Sequence, residues 1–325
     1  MSIPVDARHA AAYRARGLPD PLRVTDGVWG VPVPLNGSPL GYVTVFLVET
    51  PDGLVLIDAG YEHRSCWESF TRSVAELGHD LADVRLVLLT HNHPDHVGFA
   101  GRVRAASGAK VVMGRDDDFA RQKRVRGGFL VQLRRALERT GAPHDVIDDM
   151  YDAATKVARL SEDLDLDLAP EGDSEHVLGG VTILGLHTPG HTFGHTVYVD
   201  TSRGVVFTGD TMMAEGPTQL AVPSLPGDDP AGDLLRSLDR IRGLGAEIAC
   251  PAHQFPYRGV AARADELKAF HQAELDTVER LLRTHGSAWE IVPHLKRTKP
   301  WEELGTGSKR FALIHTLSLI LGVTR

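Results

Sequence analysis

Cysteine is almost missing from this chain: Cys66 and Cys250 are the two among 325 residues. That argues against a disulfide framework and against a cysteine-bound metal cluster. Cys250 closes an apolar run that reads as a buried strand, so packing is its expected role. Long apolar runs are missing as well. None approaches the ~20 consecutive apolar residues of a membrane-spanning helix. Residues 1–21 hold no apolar core of the kind a secretion signal needs. A cytoplasmic protein with no membrane partner is therefore expected. Positive charge is not in excess either: the net charge of −8 argues against a dedicated nucleic-acid binder. The chain contains no Gly-x-Ser-x-Gly turn that would announce a serine nucleophile. It also has no internal repeat and no low-complexity segment. The remaining composition, 42% apolar and 24% charged, is that of a soluble globular protein. Its length allows one large domain with an appendage, or two domains.

Against that background one stretch stands out, Thr90-His91-Asn92-His93-Pro94-Asp95-His96. It follows the apolar run Val84 to Leu89, which reads as a buried strand, and Pro94 sits where a helix can begin. His91 and His93, two apart on extended backbone, can point the same way. Asp95 and His96 then aim towards a second position. Neutral imidazole and carboxylate are good ligands for Zn²⁺ and also suit Fe or Mn. Packing alone does not account for three imidazoles and a carboxylate at a strand's exit.

Later segments repeat that placement. Asp58 lies in Leu56-Ile57-Asp58-Ala59-Gly60, and His191 lies in Thr188-Pro189-Gly190-His191-Thr192. Asp210 ends Thr208-Gly209-Asp210, and His253 ends Pro251-Ala252-His253. Together with the first motif, and in this order, they resemble the metallo-β-lactamase superfamily over about residues 24–260. The resemblance implies an α/β fold, a four-layer αββα sandwich. It also implies two divalent metal ions, Zn²⁺ first and Fe or Mn as alternatives. His91, His93 and His191 would hold one ion, Asp95, His96 and His253 the other, and Asp210 would bridge them. Asp95 and Asp210 would also be the catalytic carboxylates. Asp58 would orient the metal loop as an acceptor for a ligand's second N–H, and His195 would support the site from behind, as would His187.

Cations so placed share a water and lower its pKa towards ~7, so that hydroxide attacks a carbonyl or phosphorus. The expected enzyme is a hydrolase of a thioester, ester or lactone, similar to glyoxalase II-like thioesterases and lactonases. The common zinc β-lactamases carry Cys where Asp210 stands, and the flavodiiron branch carries Glu where His93 stands. The glutathione-contact pattern of glyoxalase II itself is not recognisable. Two alternatives stay open: a metal-dependent nuclease or phosphodiesterase, and a mononuclear iron persulfide dioxygenase.

The expected organisation is an N-terminal arm over 1–23, a catalytic unit over 24–261 and a helical C-terminal extension over 262–325. The arm reads as a short helix or a loose segment. Residues 115–176 form a helical insert, basic at first (Arg121, Lys123, Arg124, Arg126, Arg134, Arg135, Arg139). It is acidic later (Asp145, Asp148, Asp149, Asp152, Glu162, Asp163, Asp165, Asp167). It reads either as a solvated helical hairpin laced with ion pairs, or as a lid whose arginines hold an anionic small-molecule substrate. In the extension, Leu267, Phe270, Leu275, Val278, Leu281 and Leu282 follow helical spacing. This tail resembles the helical or winged-helix-like extension of some hydrolases of the superfamily. Packing or homodimer formation is its expected job.

Overall fold

The computed structural model describes residues 2–158, 164–297 and 299–324. The N-terminal segment is tied down. β1 (Ile3–Pro4) pairs with a late strand at a sheet edge, and α1 (Ala7–Arg14) follows, capped by Asp6. The loose-arm alternative therefore does not hold.

β2 (Leu22–Thr25), β3 (Val28–Pro34), β4 (Tyr42–Thr50) and β5 (Gly53–Ile57) form an antiparallel run. α2 (Arg64–Glu76) crosses to β6 (Val84–Leu89), which lies parallel to β5. α3 (Pro94–Val97), α4 (Ala100–Ser107) and β7 (Lys110–Met113) complete a six-stranded sheet ordered β2 to β7. The helix that Pro94 opens is short, and Gly98 and Phe99 separate it from α4.

Helices α5 (Phe119–Arg126), α6 (Phe129–Glu138) and α7 (His144–Ala158) follow. The expected helical reading does not extend to 176. Residues 167–170 run beside β7, through Asp167 N–H to Val111 O and Arg115 N–H to Pro170 O. Strand β8 (Ser174–Leu178) has begun by Ser174. Glu162 and Asp163 lie outside the described residues. β9 (Val181–His187), β10 (Thr196–Asp200) and β11 (Val205–Gly209) continue antiparallel. α8 (Pro230–Arg242) then crosses to β12 (Ile248–Pro251), parallel to β11, and β13 (Tyr257–Arg258) turns back. The order β1-β13-β12-β11-β10-β9-β8 makes the second sheet seven-stranded.

The period-two alternation of the strands builds the layers. In β4, Phe46 and Val48 face the other sheet with Val55, Ile57, Leu88, Tyr198 and Phe207. Val43, Val45 and Leu47 face outwards onto Phe70 and Val74 of α2 and Val103 of α4. The second sheet is covered on its outer face by Leu234, Leu238 and Ile241 of α8 and by α9 (Val260–Leu281). The result is the four-layer αββα sandwich. Cys250 packs between the sheets, where burial pushes its thiol well up. Each such fully buried apolar side chain contributes roughly 1.5–3 kcal/mol of transfer free energy.

After α9 come α10 (Ala288–Ile291) and α11 (Thr306–Val323), with no strand among the described residues beyond Arg258. The extension is helical, without the β-hairpin of a winged helix. It shares a core with the insert: Leu133 and Leu137 of α6 and Ile147 and Met150 of α7 meet Leu313 and Leu317 of α11. The insert is therefore packed rather than merely solvated. No helix among the described residues is long and apolar enough to cross a membrane.

In α9 the buried stripe runs through Leu267, His271, Leu275 and Val278, while Phe270 is exposed. His271 occupies the place expected for Phe270 because Glu274 offers it an acceptor, 3.0 Å from Nδ1. His315 of α11 donates to the same carboxylate oxygen at 3.1 Å. Burial opposes ionisation, yet bonds from His271 and His315 hold the Glu274 carboxyl down at about 2. A depressed carboxyl stabilises above its unfolded pKa, and that contribution is lost as pH falls towards the folded value. Glu274→Gln is thus expected to lower Tm at pH 7 by about 2–4 °C. The gap from wild type should shrink below about pH 4.5, measured by calorimetry across pH. An equal gap at pH 3 would contradict this.

Candidate metal centre

The polar residues singled out in the sequence meet at one end of the sandwich, where β6, β11 and β12 deliver their carboxyl ends. β6 leads through fully buried Thr90 to His91, and Tyr198 O–H fixes the strand's end by donating to Leu89 O at 3.0 Å. The chain stays extended to His93, the N-cap of α3, and Pro94 opens the helix that carries Asp95 and His96. His191 comes from the β9–β10 loop. Gly190 there has φ +139°, and a Cβ on it would fall 2.7 Å from the Leu234 backbone. Gly209 (φ +49°) ends β11 against His195, where a Cβ would fall 2.6 Å from Nε2. Only glycine lets Asp210 leave the strand at that point.

Two groups of potential ligand atoms result: His91, His93, His191 and Asp210, then Asp95, His96 and His253. In the first, Nδ1 of His93 lies 3.0 Å from His91 Nε2 and 3.1 Å from His191 Nε2. In the second, His253 Nε2 lies 3.4 Å from Asp95 Oδ2, and His96 Nε2 lies 3.8 Å from Asp95 Oδ1. Asp210 stands between them. Its Oδ2 is 3.6 Å from His191 Nε2, and its Oδ1 is 3.6 Å from both His96 Nε2 and His253 Nε2. Ligands bound ~2.0–2.1 Å from one tetrahedral ion are separated by about 3.3 Å, so these spacings suit metal binding.

The outer nitrogens set the tautomers. His96 Nδ1–H donates to Asp58 Oδ2 at 2.8 Å, and His253 Nδ1–H to Tyr42 O at 2.9 Å. His191 Nδ1–H donates to Gln219 O at 2.8 Å, and His91 Nδ1–H to Thr90 Oγ1 at 3.0 Å. Their Nε2 lone pairs therefore all face inwards. In the second group they face carboxylates, an arrangement that repels unless a cation lies between. Consistently, His96 Nε2, His253 Nε2 and Asp210 Oδ1 are buried without a hydrogen-bond partner. These orphaned atoms surround the second position and fit a divalent cation there.

The electrostatics divide the same way. Burial opposes it, but the carboxylates of Asp210, Asp58 and Asp95 push His96 up to about 10. The second group thus calls for positive charge. Burial and neighbouring imidazoles push His93 down to about 3 and His91 well below its ordinary value. The first group holds its imidazoles neutral, the form that ligates.

Asp58 lies behind the two groups, bonded to His96 Nδ1. It sits at φ +61°, a conformation a non-glycine residue seldom adopts. There it accepts Thr90 N–H at 2.7 Å and Thr90 O–H at 3.0 Å as well as His96. His195 is buried outside the two groups. Its Nε2 accepts Asp210 N–H at 3.3 Å, and its Nδ1 lies 2.9 Å from Thr211 Oγ1. His187 bonds Phe193 O through Nε2 at 2.8 Å and holds the loop turn.

A sequence profile of the metallo-beta-lactamase superfamily matches residues 38–253, more than half of the chain. The chain belongs to the metallo-β-lactamase superfamily of hydrolases. Among similar proteins is the probable metallo-hydrolase YqjP of Bacillus subtilis, 26% identical over 79% of this chain and 81% of its own. A hydroxyacylglutathione hydrolase of Methylococcus capsulatus is 29% identical, covering 68% of this chain and 66% of its own. An atrochrysone carboxyl ACP thioesterase of Aspergillus fumigatus is 24% identical over 88% and 73%. The chain spans 62% of the length of another relative, lactamase-like protein adaB of Aspergillus niger. Among solved structures, a metallo-beta-lactamase family protein from Thermus thermophilus superposes with a TM-score of 0.76 at 28% identity. That match covers 91% of this superfamily member and 93% of the other chain.

Sequence reasoning missed Asp117. Fully buried at the foot of the insert, it accepts Thr192 O–H at 2.5 Å and Gly194 N–H at 2.9 Å. Its own carbonyl accepts Asn92 Nδ2–H at 3.2 Å. It thereby joins the insert to both histidine loops, and burial pushes its carboxyl up to about 6. The only signal was a run of three aspartates, Asp116 to Asp118, which reads as surface.

Three of the six arginines singled out in the insert are held by protein carboxylates. Arg121 pairs with Asp116 at 2.9 Å, and Arg134 pairs with Glu138 and Asp148. Arg126 pairs with Asp228 at 2.8 Å while stacking on Phe193, 3.8 Å from the ring centre.

Proposed function

We propose that the protein is a dinuclear metallohydrolase that cleaves a small-molecule thioester, ester or lactone, with thioesters first. The observation that carries this reading is Asp210, whose two oxygens each lie 3.6 Å from histidine lone pairs of a different group. His91, His93 and His191 would hold one divalent cation, Asp95, His96 and His253 the other, with Asp210 shared and Zn²⁺ the expected metal. Cations so held acidify water and polarise the scissile carbonyl.

The chain's own groups do the rest. Burial opposes it, but its histidine neighbours hold the Asp95 carboxyl well below the usual carboxylate range, so it stays ionised and would orient the attacking water as a hydrogen-bond acceptor. Asp58, Tyr42 O and Gln219 O keep imidazole lone pairs aimed inwards through the cycle. Thioesters come first because relatives bear the names of a hydroxyacylglutathione hydrolase and an ACP thioesterase. The intact second group supports two metals over the single iron of a persulfide dioxygenase.

The test is thiol release from a panel of acyl-CoA and acyl-glutathione thioesters, with and without Zn²⁺, Mn²⁺ or Fe²⁺. Metal-dependent release is expected. A protein holding two metals that releases no thiol would overturn the thioester assignment.

A further inference from the structure

Arg310, in the first turns of α11, is a charged side chain without a countercharge. It is 9% exposed, and no described residue offers its guanidinium a carboxylate or a hydrogen-bond acceptor. Its one contact of a specific kind is the ring of Phe311, 5.0 Å from the guanidinium carbon. Other well-buried arginines are matched. Arg263 (4% exposed) donates to Met213 O at 2.9 Å and pairs with Glu266 at 3.1 Å. Arg126 has Asp228. Its stem is buried, but its nitrogens are not among the atoms sealed from solvent without a partner, so the guanidinium stays open to an anion that could complete it.

Its position says which ligand. Phe311 O accepts Gln219 Nε2–H at 3.4 Å, and Gln219 O accepts His191 Nδ1–H at 2.8 Å. Two hydrogen bonds thus separate this turn of α11 from the metal centre. Phe311 leaves half its surface open (54%) beside the guanidinium, an apolar ledge next to a cation.

We propose that Arg310 is a specificity-determining residue that anchors an anionic group, carboxylate or phosphate, on the substrate, with Phe311 bordering the adjoining apolar chain. The guanidinium fork matches either anion in a bidentate manner. The inference rests on the thioesterase reading. It places the anion-binding role on the extension rather than on the insert, where Arg121, Arg126 and Arg134 are paired.

The test uses the full-length, metal-loaded protein and four thioesters. S-butyryl-N-acetylcysteamine is neutral, and S-succinyl-N-acetylcysteamine is charged on the acyl half. S-butyryl-3-mercaptopropionate carries a carboxylate on the thiol half, and butyryl-CoA carries phosphates there. Arg310→Met is expected to raise KM about 10–100-fold for the substrates charged on one half, the loss of a charge-assisted contact. Neither kcat nor the neutral substrate's KM should move more than about twofold, and Arg310→Lys should recover part of the loss. The half affected identifies the source of the anion.

Because the replaced charge has no partner, Arg310→Met should also keep or raise Tm. A uniform KM change across all four substrates, or a lowered Tm with kcat lost throughout, would overturn the proposal in favour of a structural arginine. If the metal-loaded wild type cleaves none of the four, the thioesterase reading falls separately. Calorimetric binding of succinate and inorganic phosphate, wild type against Arg310→Met, then decides the anion site: a tenfold weaker binding supports it, and equal binding overturns it.

Discussion

Asp210→Ala is expected to leave a folded protein that holds less than one equivalent of metal and turns over at least about a thousandfold more slowly. The size of the effect follows from geometry. Asp210 turns one oxygen to each group: Oδ1 faces His96 and His253, and Oδ2 faces His191. Burial opposes its ionisation, but His253, His96 and His191 hold the carboxyl below its ordinary value, so it stays anionic at neutral pH. Removing it leaves imidazoles, neutral in the first group, to hold a cation without a shared negative charge. The fold should survive, because Asp210 is tied to the scaffold by its backbone N–H, which Ala retains, donating to His195. Metal analysis, circular dichroism and kcat on one sample read the three expectations together. A variant with two metals and wild-type turnover would refute the bridging role.

Asp58→Asn is expected to lose metal from the second group and to cut activity about 10–100-fold, although Asp58 is no ligand. The substitution is isosteric, and Asn tolerates the positive φ that Asp58 adopts, so the backbone has no reason to move. What changes is a proton. Thr90 N–H needs an acceptor at the Oδ1 position, which leaves the Asn NH₂ facing His96 Nδ1. His96 must then accept at Nδ1 and carry its proton on Nε2, where it points at Asp95 and Asp210 and blocks the lone pair. Asp58→Ala, which merely removes the acceptor, should be no worse than Asp58→Asn at that group. Metal occupancy of the variants distinguishes the two arguments. Full occupancy in Asp58→Asn would show that His96 is oriented by something other than this carboxylate.

Legibility in the sequence followed how local each feature was. The histidine motif could be read because its spacing and the apolar run before it are properties of a few adjacent residues. The later motifs could be read because each follows an apolar run that forms a strand. The four-layer sandwich was legible through the resemblance that those motifs carry.

What stayed hidden depends on tertiary contact. Tyr42 and Gln219 serve the site through backbone carbonyls, which any residue could supply. Strand β1 is two residues long, too short for periodicity, and exists because β13 offers an edge. Phe270 looked like core by spacing, but a His–Glu–His cluster took the buried stripe instead. The charges on the insert were visible, but their partners were not. Arg126 finds Asp228 about a hundred residues away.

The central claim is a two-cation site built on Asp210, and the most direct test is to strip the protein with chelator and restore Zn²⁺ stepwise. Bound metal and thiol release would be followed on the same samples. The account predicts that binding saturates at two equivalents per chain and that turnover rises to its limit with the second. Saturation at one equivalent with full turnover, or turnover that survives complete removal of metal, would contradict it.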